Sequence, residues 1–379
     1  VKVNTMSALT SFLNNALKKY KAGSFSKITV VKGNEACDLD TMVSSVTLAY
    51  LRSQTQSETD LTLPLIPIVQ KDFPLRTEAK FLFNKIGLAP KDLIFRDSVP
   101  TSDLERLANE KKLSIILVDH NALDGDYTRL APCVTEIIDH HEDLKQFTEC
   151  KKLIEMVGSA STLVASHILE AEKAGQIKIT EPLRTLLLGT ILLDTANLDP
   201  KMGRVKDKDI AVATDLMKGS SINQEELFAQ IQKAKFDSTG LSCKDLLRKD
   251  FKQWSQGNVR YGISSVLLPI DDFIKTTSDL VSDLEAHRLL KTCDILVVMH
   301  AFSDKDGKFT RQLIIYAPKK ELGDDLVPLE QSELGLEKYS SDVSASYKAP
   351  LFKFFNQTNI KCSRKKVQPL MHGIYGSKL

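Results

Sequence analysis

The feature that most constrains the fold is an alternation of short β-forming runs with helical patterns in the N-terminal part of the chain. Runs rich in Val, Ile and Leu lie at 28–32, 63–69, 93–95, 114–118 and 134–138. Apolar residues at helical spacing lie at 7–20, 41–53, 76–86 and 102–111. Strands that alternate with helices predict an α/β fold, with a mostly parallel sheet that is covered by helices.

The chain of 379 residues is too long for one ordinary compact core. Further helical patterns lie at 159–173, 182–196, 203–222, 223–234, 276–290, 325–332 and 343–356, and strand patterns lie at 259–266, 295–300 and 312–316. We therefore expect a first domain at 1–222, a linker region at 223–240 and a smaller second α/β domain at 241–379.

Composition narrows the class of protein. The net charge of +2 gives no general attraction to nucleic acids or membranes, and no apolar run reaches membrane-spanning length. The six cysteines are widely spread and include no CxxC pair, which is typical of free thiols in a reducing compartment. We expect a cytoplasmic protein, monomeric, with neither a nucleic acid polymer nor a membrane as its partner.

Acids and histidines follow three of the predicted strands. The motif GNEACDLD carries Asp38 and Asp40, the motif LVDHN carries Asp119, and the motif IIDHH carries His140 and His141. In a parallel sheet the ligand lies beyond the carboxyl ends of the strands, so these side chains are candidates for one site. The alternatives are local: Asp38 as a turn residue, Asp40 as a helix N-cap, and the two histidines as surface residues.

The adjacent histidines of Asp139-His140-His141 need not share a role. Successive side chains on an extended backbone point apart, so one imidazole can bind a metal while the other donates to a substrate. Farther along the chain, Asp194 is a single acid in the apolar segment LLLGTILLDTANL. Such a carboxylate must be paired, protonated or bound to a cation, unless it lies on an exposed polar face of the helix.

Together these positions offer several carboxylates, two imidazoles and the amide of Asn34. An oxygen-rich set with a minority of imidazole favours Mg²⁺, Mn²⁺ or Co²⁺ over a structural zinc. Two such cations suit an in-line displacement at phosphorus. The distant segment SRKKVQP adds Arg364 and Lys365, which could hold phosphate oxygens; by itself this segment would be an ordinary basic loop.

These motifs, in this order, resemble the DHH phosphoesterase superfamily. The closest likeness is to eukaryotic cytosolic exopolyphosphatases and their prune relatives, and the terminal segment resembles the DHHA2-like domain that they share with family II inorganic pyrophosphatases. The resemblance implies a DHH catalytic domain, a DHHA2-like substrate-binding domain and an active site in the cleft between them. The third motif tends to read DHR in vertebrate prune proteins, so the intact His141 favours a polyphosphatase.

The resemblance also implies a role for each site residue. The implied metal ligands are Asn34, Asp38, Asp40, Asp119, His140 and Asp194. The implied catalytic residues are Asp119, His141 and Arg364, and the implied substrate-binding residues are His141, Arg364, Lys365, Lys235 and Lys249. Asn34 stands where family II pyrophosphatases usually have histidine, and this weaker, neutral ligand shifts the expected metal preference towards Mg²⁺.

The implied activity is release of terminal orthophosphate from inorganic polyphosphate, by attack of a hydroxide that bridges two divalent ions, Mg²⁺ or Mn²⁺ with Co²⁺ as an alternative. An inorganic pyrophosphatase or short-chain polyphosphatase is a second interpretation. A nucleotide phosphodiesterase is a third, and it would use Phe251, Trp254 or Tyr261 to stack a base. A prune-like interaction protein with residual activity is a fourth, but the complete metal set argues against a pure scaffold.

Overall fold

A computed structural model describes residues 8–123, 125–347 and 351–376. The chain divides into two compact units, Val1–Asp237 and Ser238–Leu379. The predicted linker region, 223–240, spans this division and contains a full helix at 224–236. The predicted domain bounds stay a prediction.

The first unit is built on five strands. They are β1 (Ile28–Lys32), β2 (Leu61–Leu65), β3 (Leu113–Val118), β4 (Val134–Asp139) and β5 (Lys151–Ile154). Their order in the sheet is β2-β1-β3-β4-β5, and every neighbouring pair is parallel. Strands β1, β2 and β3 are almost entirely buried, as expected of a sheet with helices on both faces. The predicted α/β fold with a parallel sheet is confirmed.

Eight helices belong to the part of the first unit that the structure describes. They are α1 (Ala8–Lys21), α2 (Leu39–Ser53), α3 (Thr77–Lys85), α4 (Thr101–Asn109), α5 (Ala160–Lys173), α6 (Glu181–Asp194), α7 (Asp207–Met217) and α8 (Gln224–Phe236). Helices α2, α5 and α6 pack against one another, and their long buried faces form much of the core. This packing places the start of α2, the start of α5 and the end of α6 near one edge of the sheet.

One predicted strand of the first unit is absent from the structure, and one observed strand was not predicted. The run 93–95 forms no strand, since it contributes only a single bridge between Phe95 and Ile66. Strand β5 was not predicted, because its sequence KKLI has neither the length nor the alternation of a typical strand. Its pairing with β4 depends on a neighbour that the local sequence does not contain.

The second unit is built on six strands. They are β6 (Phe251–Gln256), β7 (Val259–Val266), β8 (Ile295–Ser303), β9 (Phe309–Tyr316), β10 (Leu336–Lys338) and β11 (Phe352–Gln357), in the order β10-β11-β9-β8-β7-β6. Only the pair β7–β8 is parallel, so this sheet is mixed. The helices are α9 (Cys243–Lys249), α10 (Ile270–Ile274), α11 (Leu280–Leu290), α12 (Lys320–Asp324), α13 (Val327–Glu330) and α14 (Arg364–Gly376).

The predicted helix at 343–356 is wrong. The segment contains a short 3-10 turn at Ser344–Ser346 and then β11, and residues 348–350 lie outside the described residues. Strand β11 pairs with β9 on one side and β10 on the other, and these ladders outweigh the local pattern. The basic segment that starts at Arg364 is the first turn of α14, not a loop. No described helix is both long and apolar enough to cross a lipid bilayer.

Candidate metal centre

The candidate site lies at the carboxyl edge of the parallel sheet. The order of the strands reverses at β1, because β2 lies on one side of it and β3 on the other. The loops after β1, β3 and β4 therefore meet at the same edge, where α/β sheets bind their ligands. These loops, together with the first turn of α2, bring Asp38, Asp40, Asp119 and His140 into one region.

Asp119, His140 and His141 form a group that could hold a metal ion, since one ligand atom from each lies within 4.8 Å of the others. The His140 Nε2 atom is 3.3 Å from Asp119 Oδ1, and the His141 Nδ1 atom is 3.9 Å from the same oxygen. Asp40 borders the group, with its Oδ2 atom 3.8 Å from His140 Nε2. The structure thus joins residues from the second and third motifs with one from the first.

Asp119 occupies an unusual backbone conformation at the end of β3. Its φ of 62° lies in the left-handed region, where non-glycine residues are uncommon and often functional. Its Oδ2 atom accepts a hydrogen bond of 2.6 Å from the Thr41 hydroxyl, which leaves Oδ1 facing the histidines. Burial, followed by the negative charges of Asp40 and Asp38, raises the pKa of Asp119 to about 8.

His140 is oriented by a backbone carbonyl. Its Nδ1 atom is 2.9 Å from the Val157 carbonyl oxygen and donates to it, so Nε2 is the nitrogen that faces Asp119. This is how metal-binding histidines are commonly held. Burial opposes protonation, but the hydrogen bond to Asp119 and the charge of Asp40 outweigh it and raise the pKa of His140 to about 10.

His141 is held by a different partner. Its Nδ1 atom is 2.8 Å from Oδ1 of Asp139, a fully buried carboxylate that also accepts from the backbone N–H of His140 and, over 2.6 Å, from the Asn121 amide. Burial disfavours the charge of Asp139, but these hydrogen bonds outweigh burial and lower its pKa. The hydrogen bond to Asp139 raises the pKa of His141, whose side chain is 54% exposed.

Asp40 is fixed by the start of α5. Its carboxylate accepts from the backbone N–H groups of Ala160 and Ser161 at 2.6 and 2.8 Å, and from the hydroxyls of Ser161 and Ser44. The N-cap of α2 is Asp38, which accepts from the Thr41 N–H at 3.0 Å, and Asp40 lies two residues further on, within the first turn of the helix. The alternative role of Asp40 as the N-cap of α2 is therefore wrong.

Asn34 and Asp194 complete the predicted set. The Asn34 amide donates to the Asp119 carbonyl oxygen at 3.2 Å, and its Oδ1 atom accepts from the Ala36 N–H. Asp194 is the last residue of α6, and its buried Oδ2 atom has no hydrogen-bond partner among the described residues. Burial, then the charges of Asp40 and Asp38, raise the pKa of Asp194 well above its usual value.

This arrangement fits a divalent cation. Burying several carboxylates together is costly unless a positive charge compensates them, and the raised pKa values of Asp119 and Asp194 express that cost. The unpartnered Asp194 oxygen and the outward Nε2 of His140 supply the ligand types that Mg²⁺ and Mn²⁺ accept. A bound cation would also compete with a proton for the Nε2 atom of His140.

The structure also locates the predicted substrate-binding residues. Lys235, on α8 of the first unit, is close enough for its charge to act on Asp38 and Asp194, against the larger effects of burial and of Asp40. Lys249 is part of α9 in the second unit.

Arg364 begins α14 in the second unit and donates to Asp250, at 2.7 Å to the carboxylate and 3.0 Å to the carbonyl. Lys365 follows it. Both line a cavity of about 400 Å³ whose other lining residues include Lys252, Trp254 and Arg311. Of the candidates for base stacking, Tyr261 is fully buried in the core and cannot reach a base, whereas Trp254 lines this cavity.

Several side chains around the site were not predicted. Thr41 was within reach of sequence reasoning, since it adjoins Asp40 in the first motif. Asp209 was not, because it acts from α7 by accepting from the Gly158 N–H beside the start of α5. Arg76, which donates to the loop after β1, also gave no signal, since nothing in its neighbourhood marks it as part of a site.

The fold and the site together define a DHH-type phosphoesterase with a DHHA2 domain. The DHH family, N-terminal domain, matches residues 27–191, and the DHHA2 domain matches residues 229–374. The chain belongs to the exopolyphosphatase family of DHH proteins, as its relatives show. The predictions of the superfamily and of a phosphoanhydride hydrolase are confirmed at this level.

Exopolyphosphatase PRUNE1 of Homo sapiens is 35% identical over 351 residues, covering 90% of this chain and 74% of that protein. A Schizosaccharomyces pombe protein assigned as an exopolyphosphatase is 31% identical and covers 97% of this chain and 95% of its own length. The manganese-dependent inorganic pyrophosphatase of Methanothrix thermoacetophila is 24% identical over 71% of this chain and 79% of that protein.

Among solved structures, a Methanococcus jannaschii protein assigned to the family II inorganic pyrophosphatases matches with a TM-score of 0.56 and 22% identity. The match covers 92% of this chain and 99% of that protein. At this identity the likeness supports the fold alone.

Proposed function

We propose that the protein is a metal-dependent exopolyphosphatase that releases terminal orthophosphate from inorganic polyphosphate. The observation that carries the proposal is the cluster of Asp119, His140 and His141 at the carboxyl edge of the sheet. The relatives named as exopolyphosphatases support polyphosphate as the substrate. The relatives named as manganese-dependent pyrophosphatases support a divalent metal.

We further propose that the site holds two divalent ions, Mg²⁺ or Mn²⁺. One would be bound by Asp40, Asp119, His140 and Asp194, and the other by Asn34, Asp38 and Asp119. Divalent metals of this kind activate water near neutral pH and offset the charge of phosphate oxygens. The clustered carboxylates with raised pKa values support more than one positive charge at this edge of the sheet.

His141 is proposed as a donor to the attacked phosphate. Its Nδ1 atom is engaged by Asp139, so its Nε2 atom is the one available to a ligand. Because the hydrogen bond to Asp139 raises the pKa of His141, the ring is more readily protonated, and both nitrogens of a protonated ring are donors. A proton held at Nε2 would stabilise negative charge on a non-bridging oxygen as the bond to the leaving chain breaks.

Cationic side chains are proposed to hold the rest of the substrate. Lys235 acts electrostatically on Asp38 and Asp194, so it is near enough to meet an anion at the same edge. Arg364 and Lys365 would bind phosphates of the chain, since the guanidinium offers a planar fork and the ammonium a point charge. Lys249 is proposed to contact a longer chain.

The deciding experiment compares phosphate release from pyrophosphate, tripolyphosphate and long-chain polyphosphate, each with Mg²⁺ and with Mn²⁺. We expect the longer substrates to be preferred and Asp119→Asn to abolish nearly all turnover, because a ligand shared by both ions would be altered. Dominant turnover of pyrophosphate would indicate a pyrophosphatase instead of an exopolyphosphatase. Turnover of Asp119→Asn at the wild-type rate would contradict the metal centre itself.

A further inference from the structure

The loop between β1 and α2 carries two of the proposed metal ligands, Asn34 and Asp38. Its turn is closed from inside by the Cys37 N–H, which donates to the Asn34 carbonyl at 3.0 Å, and by the Ala36 N–H, which donates to the Asn34 side chain. Cys37 has a φ of 51°, so a non-glycine residue is held in the left-handed region directly before Asp38. Such a conformation persists only where its surroundings over-determine it.

Arg76 supplies this surrounding support from a distant part of the chain. It lies between a 3-10 turn and α3, and its guanidinium donates from Nε to the Cys37 carbonyl at 2.9 Å and from Nη2 to the Ala36 carbonyl at 3.1 Å. The planar fork of an arginine matches two successive carbonyl oxygens, which a lysine ammonium does not. Arg76 thus holds the turn immediately before Asp38 by two hydrogen bonds.

We infer that Arg76 is a positioning residue of the metal centre, because it holds the left-handed turn that presents Asn34 and Asp38. The inference rests on the proposed metal site and goes beyond it, since Arg76 donates to the backbone of the loop and not to a proposed ligand. Its favourable effect on the ion would come through the geometry of the turn. No pattern in the sequence around Arg76 marks this role.

The direction of the effect on metal affinity separates positioning from simple electrostatics. Arg76 carries a positive charge near a site for cations, so loss of that charge alone would tighten cation binding. Loss of the two hydrogen bonds frees the turn, and a cation would then have to order the loop before binding, which weakens affinity. A weaker affinity in a variant without the charge therefore indicates that positioning is the larger effect.

The test titrates Mn²⁺ into the metal-stripped full chain by calorimetry, for the wild type and for Arg76→Ala. We expect at least one Mn²⁺ affinity to fall about 10-fold or more. Arg76→Lys, which keeps the charge and loses the planar fork, should also bind Mn²⁺ weakly. Arg76→Gln, which keeps an amide donor, should have an affinity between those of the wild type and Arg76→Ala. Unchanged or tighter binding by the folded Arg76→Ala protein would overturn the inference.

Arg184→Ala is the matched control, because Arg184 also donates to backbone carbonyls, at 2.9 Å to Leu216, but near the start of α6. Its Mn²⁺ affinity should equal that of the wild type. Asp38→Asn is run in parallel, since an unchanged affinity there would show that the proposed ligand itself is wrong. A loss in Asp38→Asn without a loss in Arg76→Ala would refute only the role of Arg76.

Amide hydrogen exchange in the metal-free protein gives a second readout that needs neither metal nor activity, and it also serves if Arg76→Ala fails to fold. The amides of residues 34–41 should exchange about 10-fold faster or more in Arg76→Lys than in the wild type, while those of β3 stay protected. Equal exchange in the loop of the folded Arg76→Lys protein would refute the inference.

Discussion

The second unit should lose stability when the pH falls below neutrality, because it buries two neutral histidines. His300 is fully buried and donates to the Leu268 carbonyl, and His287 is 6% exposed; both Nε2 atoms lack a described hydrogen-bond partner. Burial lowers the pKa of each to about 4, with the charges of Lys291 and Arg248 adding to the effect at His287.

The direction in which the free energy of unfolding changes with pH follows from proton binding. An unfolded histidine has a pKa of about 6.5 and takes up its proton first as the pH falls, so protonation favours the unfolded state. The stability that depends on the neutral histidines is fully present above about pH 6.5 and is lost progressively towards pH 4. Between pH 7.5 and pH 5 the lowered pKa of each histidine reduces the free energy of unfolding by about 2 kcal/mol, so the two together reduce it by about 4 kcal/mol.

The assay uses Trp254, the single tryptophan of the chain, which lies on β6 of the same unit. Unfolding in urea followed by its fluorescence should show a midpoint about 2 M lower at pH 5 than at pH 7.5, for a slope of about 2 kcal/mol per molar. His300→Gln should remove about half of that shift. His167→Gln, on α5 of the first unit, is the control and should leave it unchanged. A midpoint independent of pH would refute the argument.

Three further predictions concern the site and the core. Calorimetry with Mn²⁺ should show that His140→Gln weakens metal binding by about 10-fold or more, whereas His141→Gln keeps the affinity and lowers kcat; the reverse pattern would exchange their roles. Arg364→Ala should raise KM for tripolyphosphate by about 10-fold in steady-state kinetics, and unchanged kinetics would exclude it from substrate binding. Gly189→Val should destabilise the first unit by about 1–3 kcal/mol in thermal unfolding followed by circular dichroism, because a Cβ at Gly189 lies 2.8 Å from Ile231; an unchanged Tm would show that α6 and α8 repack freely.

The edge on which the site forms could be predicted from the sequence. Apolar runs that end in polar residues mark strand ends, and a parallel sheet brings those ends to one edge. Asp119 and His140 are neighbours for this reason, although 21 positions separate them in the sequence. The single acid in an apolar helix, Asp194, was also visible, because a carboxylate in that position needs a partner.

The partners that orient these side chains could not be predicted. The backbone donors to Asp40 come from α5, about 120 positions away, and the carbonyl that orients His140 belongs to Val157 in an irregular loop. Sequence reasoning split the roles of the two histidines, but the physical basis of the split, a carbonyl on one Nδ1 and the Asp139 carboxylate on the other, appears only in the folded chain.

The wrong prediction of a helix at 343–356 has a similar cause. The aromatic run Phe352–Phe355 packs as a strand because β9 and β10 offer it two edges, and no local pattern reports the presence of those edges. The left-handed turns at Cys37 and Asp119 escaped prediction as well, since neither residue is a glycine.

The hydrogen bonds from Ala160 and Ser161 to Asp40 also bear on which acidic residues of the site can be substituted without loss of folding stability. The carboxylate of Asp40 caps the first backbone N–H groups of α5, so Asp40 would be retained by selection for folding even if catalysis were lost. Asp194 has an unpartnered oxygen, so its replacement by asparagine would relieve a buried charge and stabilise the fold. If Asp194 binds a metal ion as proposed, Asp194→Asn should give a stable but inactive variant, whereas the persistence of Asp40 in a related chain would be poor evidence that the chain is an enzyme.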